Sequence, residues 1–398
     1  MTQYQRIQEY LSGSTTQSFD DIRRTEWLLG EEKMPANRAL VTVLSYNVLA
    51  QDLIVANPHL YSEHEPEDLL WENRKPLLFE EFLKSKADII ALQEVQEDHI
   101  GSFYGNLEKH GYRGFFKKRT DDFKSDGCAL YYKSGTFELL QLEKVEYFQP
   151  GIKVLNKPNV AIIAKLRHKL NDKILIIANT HLLFSPKRWD IRLAQTQVLL
   201  AELHRLASDC KSPSVMLVGD LNSYPKSPTV TLIEKGFFET EAPLLPDSLG
   251  ILPNCCHSSK SKLYNSNFVS SLFDEEESSQ DVTNAQSCSR KVSGPSSSQD
   301  GCPGASPASE YLVSPNRTEL SHKFEFTSTY DFYDSSYRSE ATTYQDRWLT
   351  VDYMFFSNLA LVSRKRLPTV EDCIAHIGRI PNSNSPSDHL PLLATYAL

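Results

Sequence analysis

Runs of apolar residues along the chain are short, and several of them stop at polar residues of similar chemistry. Each run is four to eight residues long and rich in Ile, Val and Leu, which is typical of strands covered on both faces. Five such runs are "VTVLSYNVLAQ", ending around Asn47; "ADIIALQEV", at Glu94; "KILIIANTHL", at Asn179 and His181; "SVMLVGDLN", at Asp220 and Asn222; and "LTVDYMFF", which carries Asp352. The pattern predicts buried strands whose ends present polar side chains.

Three segments between these runs have helical patterns. In "EDLLWENRKPLLFEEFLKSK" the apolar residues fall near helical spacing, and Pro76 is predicted to start or kink the regular part. "EDHIGSFYGNLEKHG" ends with Gly111 in the position of a C-terminal cap, and "RWDIRLAQTQVLLAELHRLAS" is amphipathic. "DGCALYYK", "FELLQLEKVEYF" and "NVAIIAKLRHK" predict further strands, with Asp126-Gly127 interpreted as a structural turn. Strands with interleaved helices indicate an α/β chain.

One segment, at about 254–319, breaks this pattern. It is rich in Ser, Gly and Pro and has few large apolar side chains. Such a segment cannot bury enough surface to order itself, so we predict a disordered insertion in a surface loop. Residues 1–37 are predicted to be an N-terminal extension with a helix around "DDIRRTEWLL". Residues 38–398, with the insertion excluded, are predicted to form one domain.

The composition permits a large core but not general attraction to nucleic acid. Of the 398 residues, 40% are hydrophobic, and the net charge is −9. Contact with phosphates would therefore need local basic clusters or metal ions. Three basic clusters occur, and solvated surface is the favoured interpretation of each: Lys117-Lys118-Arg119, the Lys187, Arg188 and Arg192 group, and Arg364-Lys365-Arg366.

The cysteines and the first residues favour an intracellular protein. Seven scattered cysteines without a CxxC pair suggest neither a disulfide framework nor a zinc site. The segment "MTQYQRIQEYLSGSTTQSFDD" is too polar for a signal peptide, and no apolar run approaches membrane-spanning length. We therefore expect a cytoplasmic protein without membrane contact, with the nucleus as the alternative location.

The polar residues that follow the apolar runs would gather at one site if the strands lie in one or two adjacent sheets. "SPSDHLPL" would add Asp388 and His389 just before a final strand. Carboxylate and amide oxygens are hard ligands that suit Mg²⁺ or Mn²⁺, whereas a zinc site would want more His or Cys. A divalent ion can polarise a phosphoryl oxygen and offset the charge that develops on the leaving oxygen.

The individual side chains suit complementary roles in the hydrolysis of a phosphate ester. Asp220 can orient or deprotonate the attacking water. His389, held by Asp352, can meet the phosphate as a hydrogen-bond donor. Asn222 and His181 can donate hydrogen bonds to the non-bridging oxygens.

Each motif alone also has a structural interpretation. Asn47 and "GDLN" could be turns, Glu94 could cap the following helix, and His181 could be a satisfied buried histidine. The same arrangement of an apolar strand followed by an acid, amide or imidazole occurs five times, and this recurrence favours a site.

Six motifs in this order resemble the endonuclease/exonuclease/phosphatase superfamily: "SYNVLAQ", "IIALQEV", "NTHLLF", "VGDLNSYPKSP", "VDYMFFS" and "SDHLPLLA". Within it, "YNVLAQDL", "WENRKPLL", "LQEVQEDH" and "DGCALYYK" are similar to the carbon catabolite repressor 4-type deadenylases, nocturnin and the Angel proteins. "QEVQEDH", "NTHLLFSPKRWDIRLAQ" and the long insertion most resemble the Angel branch. The similarity covers roughly residues 38 to 398, and it departs at Trp189, where the family pattern leads us to expect glycine.

The resemblance implies a four-layer α/β sandwich of two mixed β-sheets flanked by helices. It also implies Mg²⁺ at Glu94 with Asn47 nearby, and it places Asp388 near a second metal. The remaining roles that it implies are water activation by Asp220, phosphate contacts by Asn222, His181 and His389, and orientation of His389 by Asp352.

The Angel resemblance favours a Mg²⁺-dependent phosphatase acting on RNA 3′ ends that carry a 2′,3′-cyclic phosphate. Aromatic residues at the mouth would stack the terminal base, and Tyr224 and the tyrosines in 330–337 are candidates. One alternative is a 3′-to-5′ poly(A) exonuclease, since the shared site selects only phosphate esters. The other alternative is a non-catalytic adaptor that joins mRNA-metabolism or translation proteins, which are the protein partners considered.

Overall fold

The computed structural model describes residues 23–28, 39–240 and 319–398 of the chain. The predicted insertion at 254–319 lies outside these residues apart from Glu319, and the predicted extension at 1–37 is described only at 23–28. Both domain boundaries therefore stay predictions. Within the described residues, no helix has the length and apolar character needed to cross a membrane.

Seventeen strands occur in the described part of the chain. They are β1 (Thr25–Trp27), β2 (Leu40–Asn47), β3 (Ile89–Gln96), β4 (Tyr112–Lys118), β5 (Asp126–Lys133), β6 (Phe137–Glu146), β7 (Val160–His168), β8 (Ile174–His181), β9 (Ser214–Asp220), β10 (Phe237–Glu239), β11 (Glu319–Ser321), β12 (Thr327–Ser328), β13 (Thr343–Tyr344), β14 (Trp348–Leu349), β15 (Asp352–Ser357), β16 (Ala360–Lys365) and β17 (Leu392–Ala397).

The helices connect these strands. The α-helices are α1 (Gln51–Ala56), α2 (Trp71–Ser85), α3 (His99–Ser102), α4 (Trp189–Ala207), α5 (Pro228–Lys235) and α6 (Val370–Asp372). Short 3₁₀ turns lie at Pro58–Tyr61, Pro66–Leu69, Tyr104–His110 and Lys153–Leu155, and a π-helical turn lies at Cys373–Ile377.

The strands form two large mixed sheets that pack face to face. One sheet has the order β1-β16-β17-β2-β3-β5-β4, and the other has the order β12-β15-β9-β8-β7-β6. The pairs β2/β3 and β8/β9 are parallel, and the other neighbours within these sheets are antiparallel. Two short antiparallel pairs, β10/β11 and β13/β14, are the remaining sheets of the described residues. The predicted α/β sandwich of two mixed sheets is confirmed.

Successive residues of a strand serve different layers of the core. Val43 of β2 packs between the two sheets, whereas Leu44 packs on the outer face with Leu78 and Phe82 of α2. Both faces are buried, which explains why the strand sequences are nearly continuous in apolar residues. Full burial of each such side chain stabilises the fold by about 1.5–3 kcal/mol. Leucines of α4 cover the other side of the sandwich.

A polar contact also joins the two sheets. The Gln93 side-chain nitrogen donates to Asn179 Oδ1 at 2.7 Å. The Asn179 amide in turn donates to the carbonyl oxygens of Leu92 and Ala129, both at 2.8 Å. Because these groups are fully buried, the bonds fix how the sheets lie against each other. Asn179 thus acts within the core, while His181, two residues later, reaches the sheet edge.

Several local predictions need correction. The segment predicted as a helix around "DDIRRTEWLL" contains strand β1, which pairs antiparallel with the edge strand β16. Unpaired backbone groups on an edge strand attract such pairing, and this outweighs the local pattern. Pro76 does not start α2 but lies inside it, on the exposed side where solvent can satisfy the freed carbonyl, and the kink stays a prediction.

The segment that contains Gly101 and Gly105 forms only the short helix α3 and a 3₁₀ turn, because glycine weakens helices. Its predicted cap is confirmed, since Gly111 has φ +84° at the end of that turn. Asp126 is the first residue of β5 rather than part of a turn.

Candidate active site

Strand register places three of the predicted site residues side by side at one end of the second sheet. Asp220, the last residue of β9, lies opposite His181 of the parallel strand β8. On its other side it lies opposite Asp352 of the antiparallel strand β15. The three side chains are neighbours because β9 lies between β8 and β15 and pairs with both in matching register.

The turn after Asp220 depends on a close backbone approach. Gly219 has φ +137°, and a Cβ atom there would lie 2.0 Å from the Thr180 carbonyl oxygen. Asn222 has φ +47°, and its backbone N–H donates to Asp220 Oδ1 at 2.8 Å. Leu221 between them is buried in the core. Asp220 Oδ1 is thereby engaged locally, and Oδ2 is the oxygen that faces the other site residues.

Asn47 connects the carboxylates of the two sheets. Its side-chain nitrogen donates to Glu94 Oε1 at 2.9 Å and to Asp220 Oδ2 at 3.0 Å. The other Glu94 oxygen, Oε2, accepts from the Ala50 backbone N–H at 3.1 Å. Glu94 itself lies at an irregularity of β3 with φ +58°, so a bulge aims its side chain at this edge.

His389 is held by Asp352, as predicted. Its Nδ1 lies 2.9 Å from Asp352 Oδ2, and its Nε2 points toward Asp220, 3.7 Å from Oδ2. Ser387 steadies the segment, because its hydroxyl donates to the Asn47 carbonyl oxygen and accepts from the His389 backbone N–H.

Asp388 lies beside this pair but makes a different contact. Its Oδ2 accepts a hydrogen bond from the Tyr61 hydroxyl at 2.9 Å, and its Oδ1 lies 3.9 Å from His389 Nε2. Tyr61 therefore belongs to the site as well, although no sequence motif indicated it.

His181 and Asn222 contact each other. The Asn222 amide nitrogen donates to the Leu182 carbonyl oxygen at 3.0 Å and lies 3.0 Å from His181 Nε2. The Leu182 contact fixes which end of the amide is nitrogen, since a carbonyl oxygen cannot donate. One Asn222 N–H is therefore committed to the backbone, and the other is directed toward His181 and the cavity.

Burial and neighbouring charges shift the pKa values of the site groups in different directions. Burial raises the pKa of Glu94 to about 8, reinforced by Asp388, and raises the pKa of Asp220 to about 7, reinforced by Asp352. Burial lowers the pKa of His181 to about 3, with Arg119 and His389 acting in the same direction. Although burial alone would lower it, the carboxylates led by Asp352 raise the pKa of His389 well above its ordinary value.

The resulting charge states define what the site can do. His181 is neutral and His389 is a cation near neutral pH, so the two imidazoles are not equivalent. Asp220, with a pKa of about 7, can accept a proton at that pH.

The donor set suits a hard divalent cation. Among the described residues, Asp220, Asp352 and His389 offer potential ligand atoms that lie within 4.8 Å of one another. A protonated His389 bound to Asp352 cannot coordinate metal, however. Glu94 and Asp388 supply oxygens that repel each other, and a divalent cation would relieve that repulsion. The Asn47 side-chain oxygen accepts a hydrogen bond from the Leu49 N–H. Asn47 therefore contacts Glu94 through its side-chain nitrogen, which holds the Glu94 carboxyl group in place.

A buried arginine connects the two loops that carry these groups. Arg74 of α2 is 1% exposed, and its guanidinium donates to the carbonyl oxygens of Val48, Leu49 and Pro386. The first two lie in the loop after Asn47, and the third precedes Ser387. Arg74 therefore fixes the distance between the loops from beneath the site.

Six of the predicted site residues line a cavity of about 170 Å³, whereas Asn47 and Asp352 lie behind its walls: Glu94, His181, Asp220, Asn222, Asp388 and His389. Besides the predicted residues, its walls include Arg119, Asn159, Phe184 and Tyr344. Phe184 lies in the "NTHLLF" motif and Arg119 in a basic cluster, so the sequence named both without assigning either to the site. Asn159 and Tyr344 carry no local signal, because only the fold brings them here.

The predicted aromatic candidates do not line this cavity. Tyr330 is 1% exposed, and its hydroxyl bonds to the Leu393 backbone, so its placement at the mouth is wrong. Tyr224 is exposed but is not a wall residue. The wall aromatics that are less buried are instead Phe184 and Tyr344.

Most of the basic candidates are engaged elsewhere and are less solvated than expected. Arg192 is buried and donates to the carbonyl oxygens of Leu183 and Pro186. Ion pairs hold the others: Lys117 with Glu146, Lys118 with Glu97, Arg188 with Asp190, Arg364 with Glu26 and Asp331, and Lys365 with Glu81.

Comparisons with known proteins agree with this site. Residues 44–389 match the Endonuclease/Exonuclease/phosphatase family. Protein angel homolog 2 of Homo sapiens is 32% identical over 411 residues, which is 91% of this chain and 70% of that protein.

Solved structures give the same result. The crystal structure of ANGEL2, a 2′,3′-cyclic phosphatase, in complex with adenosine-2′,3′-vanadate is 32% identical with a TM-score of 0.73, covering 94% of this chain and 98% of that one. The human Nocturnin catalytic domain with bound sulfate has a TM-score of 0.57 at 22% identity, covering 96% of this chain and 99% of that one, and shares the fold.

Proposed function

The chain belongs to the endonuclease/exonuclease/phosphatase family, and from that premise we propose that it removes 2′,3′-cyclic phosphates from RNA 3′ ends, leaving 2′,3′-hydroxyls. The observation that carries the proposal is the row formed by His181, Asp220 and Asp352, with His389 closing it. The similarity of the chain to a 2′,3′-cyclic phosphatase, over almost its whole length, favours this substrate among the phosphate esters.

In the first half of the reaction, water attacks phosphorus in line with one of the two ribose oxygens. Asp220 Oδ2 accepts the proton of that water, since Oδ1 is held by the Asn222 backbone. His389, charged and fixed by Asp352, donates to a non-bridging oxygen or to the departing ribose oxygen. Repetition of the attack on the monoester releases inorganic phosphate.

His181 and Asn222 would contact the phosphate from the other side. The cavity-directed N–H of Asn222 donates to a non-bridging oxygen when it is released from His181. Neutral His181 can donate through whichever ring nitrogen carries its hydrogen.

Glu94 and Asp388, with Asn47 holding Glu94, would bind Mg²⁺ or, as a substitute, Mn²⁺. The bound cation supplies Lewis acidity and offsets the charge that develops on the leaving oxygen. We further propose that the cation is Mg²⁺, that the protein is cytoplasmic, and that its partners are mRNA-metabolism or translation proteins.

Two RNA substrates test the proposal. Purified protein with Mg²⁺ receives a short RNA ending in a 2′,3′-cyclic phosphate and, separately, the same RNA with a poly(A) tail and a free 3′-hydroxyl. We expect loss of the cyclic phosphate without shortening, and loss of that activity in Asp220→Asn and Glu94→Ala. Ladder-like shortening with the cyclic end untouched would identify a 3′-to-5′ exonuclease instead. Inactivity on both RNAs, with function in cells retained by Glu94→Ala, would favour the adaptor role.

A further inference from the structure

Arg119 is the one lysine or arginine among the described residues that line the catalytic cavity. The same walls carry the carboxyl groups of Glu94, Asp220 and Asp388, which repel an anionic substrate when they are ionised. A phosphate diester brings one negative charge into this cavity, and a monoester brings up to two. Besides a bound cation, His389 and Arg119 are the groups available to balance that charge.

The guanidinium of Arg119 has unused hydrogen-bonding capacity. Its nearest acidic partner is Asp126, whose Oδ1 lies 3.5 Å from Arg119 Nη1, too long for a good hydrogen bond. Arg119 Nε and both Asp126 carboxylate oxygens are buried and have no hydrogen-bond partner among the described residues. The Arg119 side chain is 16% exposed and that of Asp126 is 2% exposed, so solvent satisfies the pair poorly.

The neighbours of Arg119 are arranged differently. Lys117 and Lys118 form ion pairs with Glu146 and Glu97 and do not line the cavity. The end of β4 therefore directs a single cation inward. The backbone also holds this cation in place, because the Arg119 N–H donates to the Asp126 carbonyl oxygen at 3.0 Å.

We propose that Arg119 is a substrate-binding residue that contacts the phosphate of the RNA end, and that Asp126 is the buried carboxylate that positions its guanidinium. This inference rests on the proposed function for the identity of the substrate. The planar fork of a guanidinium matches two oxygens of one phosphate, and such charge-assisted bonds are strong in a partly dehydrated cavity. Phosphate binding would give the cavity-lining guanidinium a charged partner at hydrogen-bonding distance, which Asp126 at 3.5 Å does not supply.

A double variant that removes both charges separates this role from a structural one. Arg119→Gln leaves Asp126 as an unpaired buried charge, which could damage the fold by itself. Arg119→Gln combined with Asp126→Asn removes both charges and avoids that problem. Lys118→Gln, one residue away and outside the cavity, is the matched control.

On RNA with a 2′,3′-cyclic phosphate, we expect Arg119→Gln to lower kcat/KM by about 10- to 100-fold, mainly through KM, as lost charge-assisted bonds predict. The double variant should remain as impaired, Arg119→Lys should recover part of the loss, and Lys118→Gln should match the wild type. Return of the double variant to wild-type KM would overturn the proposal, because Arg119 would then serve only to neutralise Asp126.

A binding measurement keeps the test independent of the substrate. Calorimetric titration with inorganic phosphate in the presence of Mg²⁺ should show binding weakened about 10-fold or more in Arg119→Gln and in the double variant. If the wild-type protein hydrolyses neither RNA but this difference appears, the proposed function fails and Arg119 remains a phosphate-binding residue. Equal phosphate affinity in wild type and both variants would refute the role of Arg119.

Discussion

His389 and Asp352 form a buried pair in which the imidazole Nδ1 lies 2.9 Å from a carboxylate oxygen. The two residues are 37 positions apart and lie on separate loop and strand segments. The Asp352 backbone N–H is itself within 3.2 Å of the Thr342 hydroxyl, so the carboxylate has a fixed position. The pair thereby sets both the orientation of His389 and its positive charge.

Replacing Asp352 by asparagine should lower kcat on the cyclic-phosphate RNA by about 100-fold or more, because His389 loses the partner that keeps it charged and oriented. The measurement is single-turnover hydrolysis with excess enzyme, so that product release does not hide the chemical step. Asp331→Asn, an exposed carboxylate paired with Arg364, is the control and should keep wild-type kcat. An unchanged rate in Asp352→Asn would show that His389 does not act as a charged donor.

Glu94→Gln should abolish the dependence of activity on the concentration of divalent cation, and should lower the rate by at least about 100-fold. The amide keeps the shape of the side chain but removes the charge that a hard cation requires. Chelation of the wild-type protein, followed by titration with Mg²⁺ and then Mn²⁺, gives the reference curve. Glu97→Gln, three residues further along and exposed, should leave that curve unaltered. A normal Mg²⁺ curve in Glu94→Gln would move the metal site to other residues.

The sequence predicted the candidate site residues because each of them lies beside a buried apolar strand. Asp220, His181 and Asp352 lie at strand ends, and Glu94 lies at a bulge near the end of β3, so periodicity and chain order were sufficient to associate them. The contacts of Asn222 could not be predicted in this way. Its amide bonds to the Leu182 carbonyl, and no pattern of residue types indicates such a backbone partner.

What the sequence could not predict depends on long-range packing. Tyr61, Asn159 and Tyr344 reach the cavity through segments whose paths are fixed by tertiary contacts. The Asn159 side chain bonds to the His181 carbonyl oxygen, and the Tyr344 backbone N–H bonds to that of Asp388. Tyr330 failed as a predicted stacking residue for the same reason. An isolated tyrosine near an aspartate resembles a surface residue until the fold places it under the guanidinium of Arg364.

Gly219→Ala should strongly impair both folding and activity, because a Cβ atom would lie 2.0 Å from the Thr180 carbonyl oxygen and φ is +137°. Backbone strain of this kind costs about 1–3 kcal/mol, and the overlap forces β8 and β9 apart where they carry His181 and Asp220. Urea denaturation and kcat/KM measure the two effects. Gly135→Ala is the matched control, since a Cβ there meets nothing within 4 Å. Equal stability of the two variants would contradict the close approach of the strands.

Glu340 provides a pH-dependent test of stability away from the reacting groups. Burial raises its pKa from 4.5 to about 7, with Arg364 acting in the opposite direction. Because the folded protein holds this proton more tightly than the unfolded chain, the stabilising contribution is complete below pH 4.5 and is lost as the pH rises through about 7. Glu340→Gln, which cannot ionise, should therefore gain in Tm relative to the wild type between pH 5 and pH 8. Thermal unfolding followed by circular dichroism at both pH values measures the gain, and Glu371→Gln on the exposed surface should show none. A Tm difference between Glu340→Gln and wild type that stays constant across this range would mean that Glu340 is already ionised in the folded protein at pH 5.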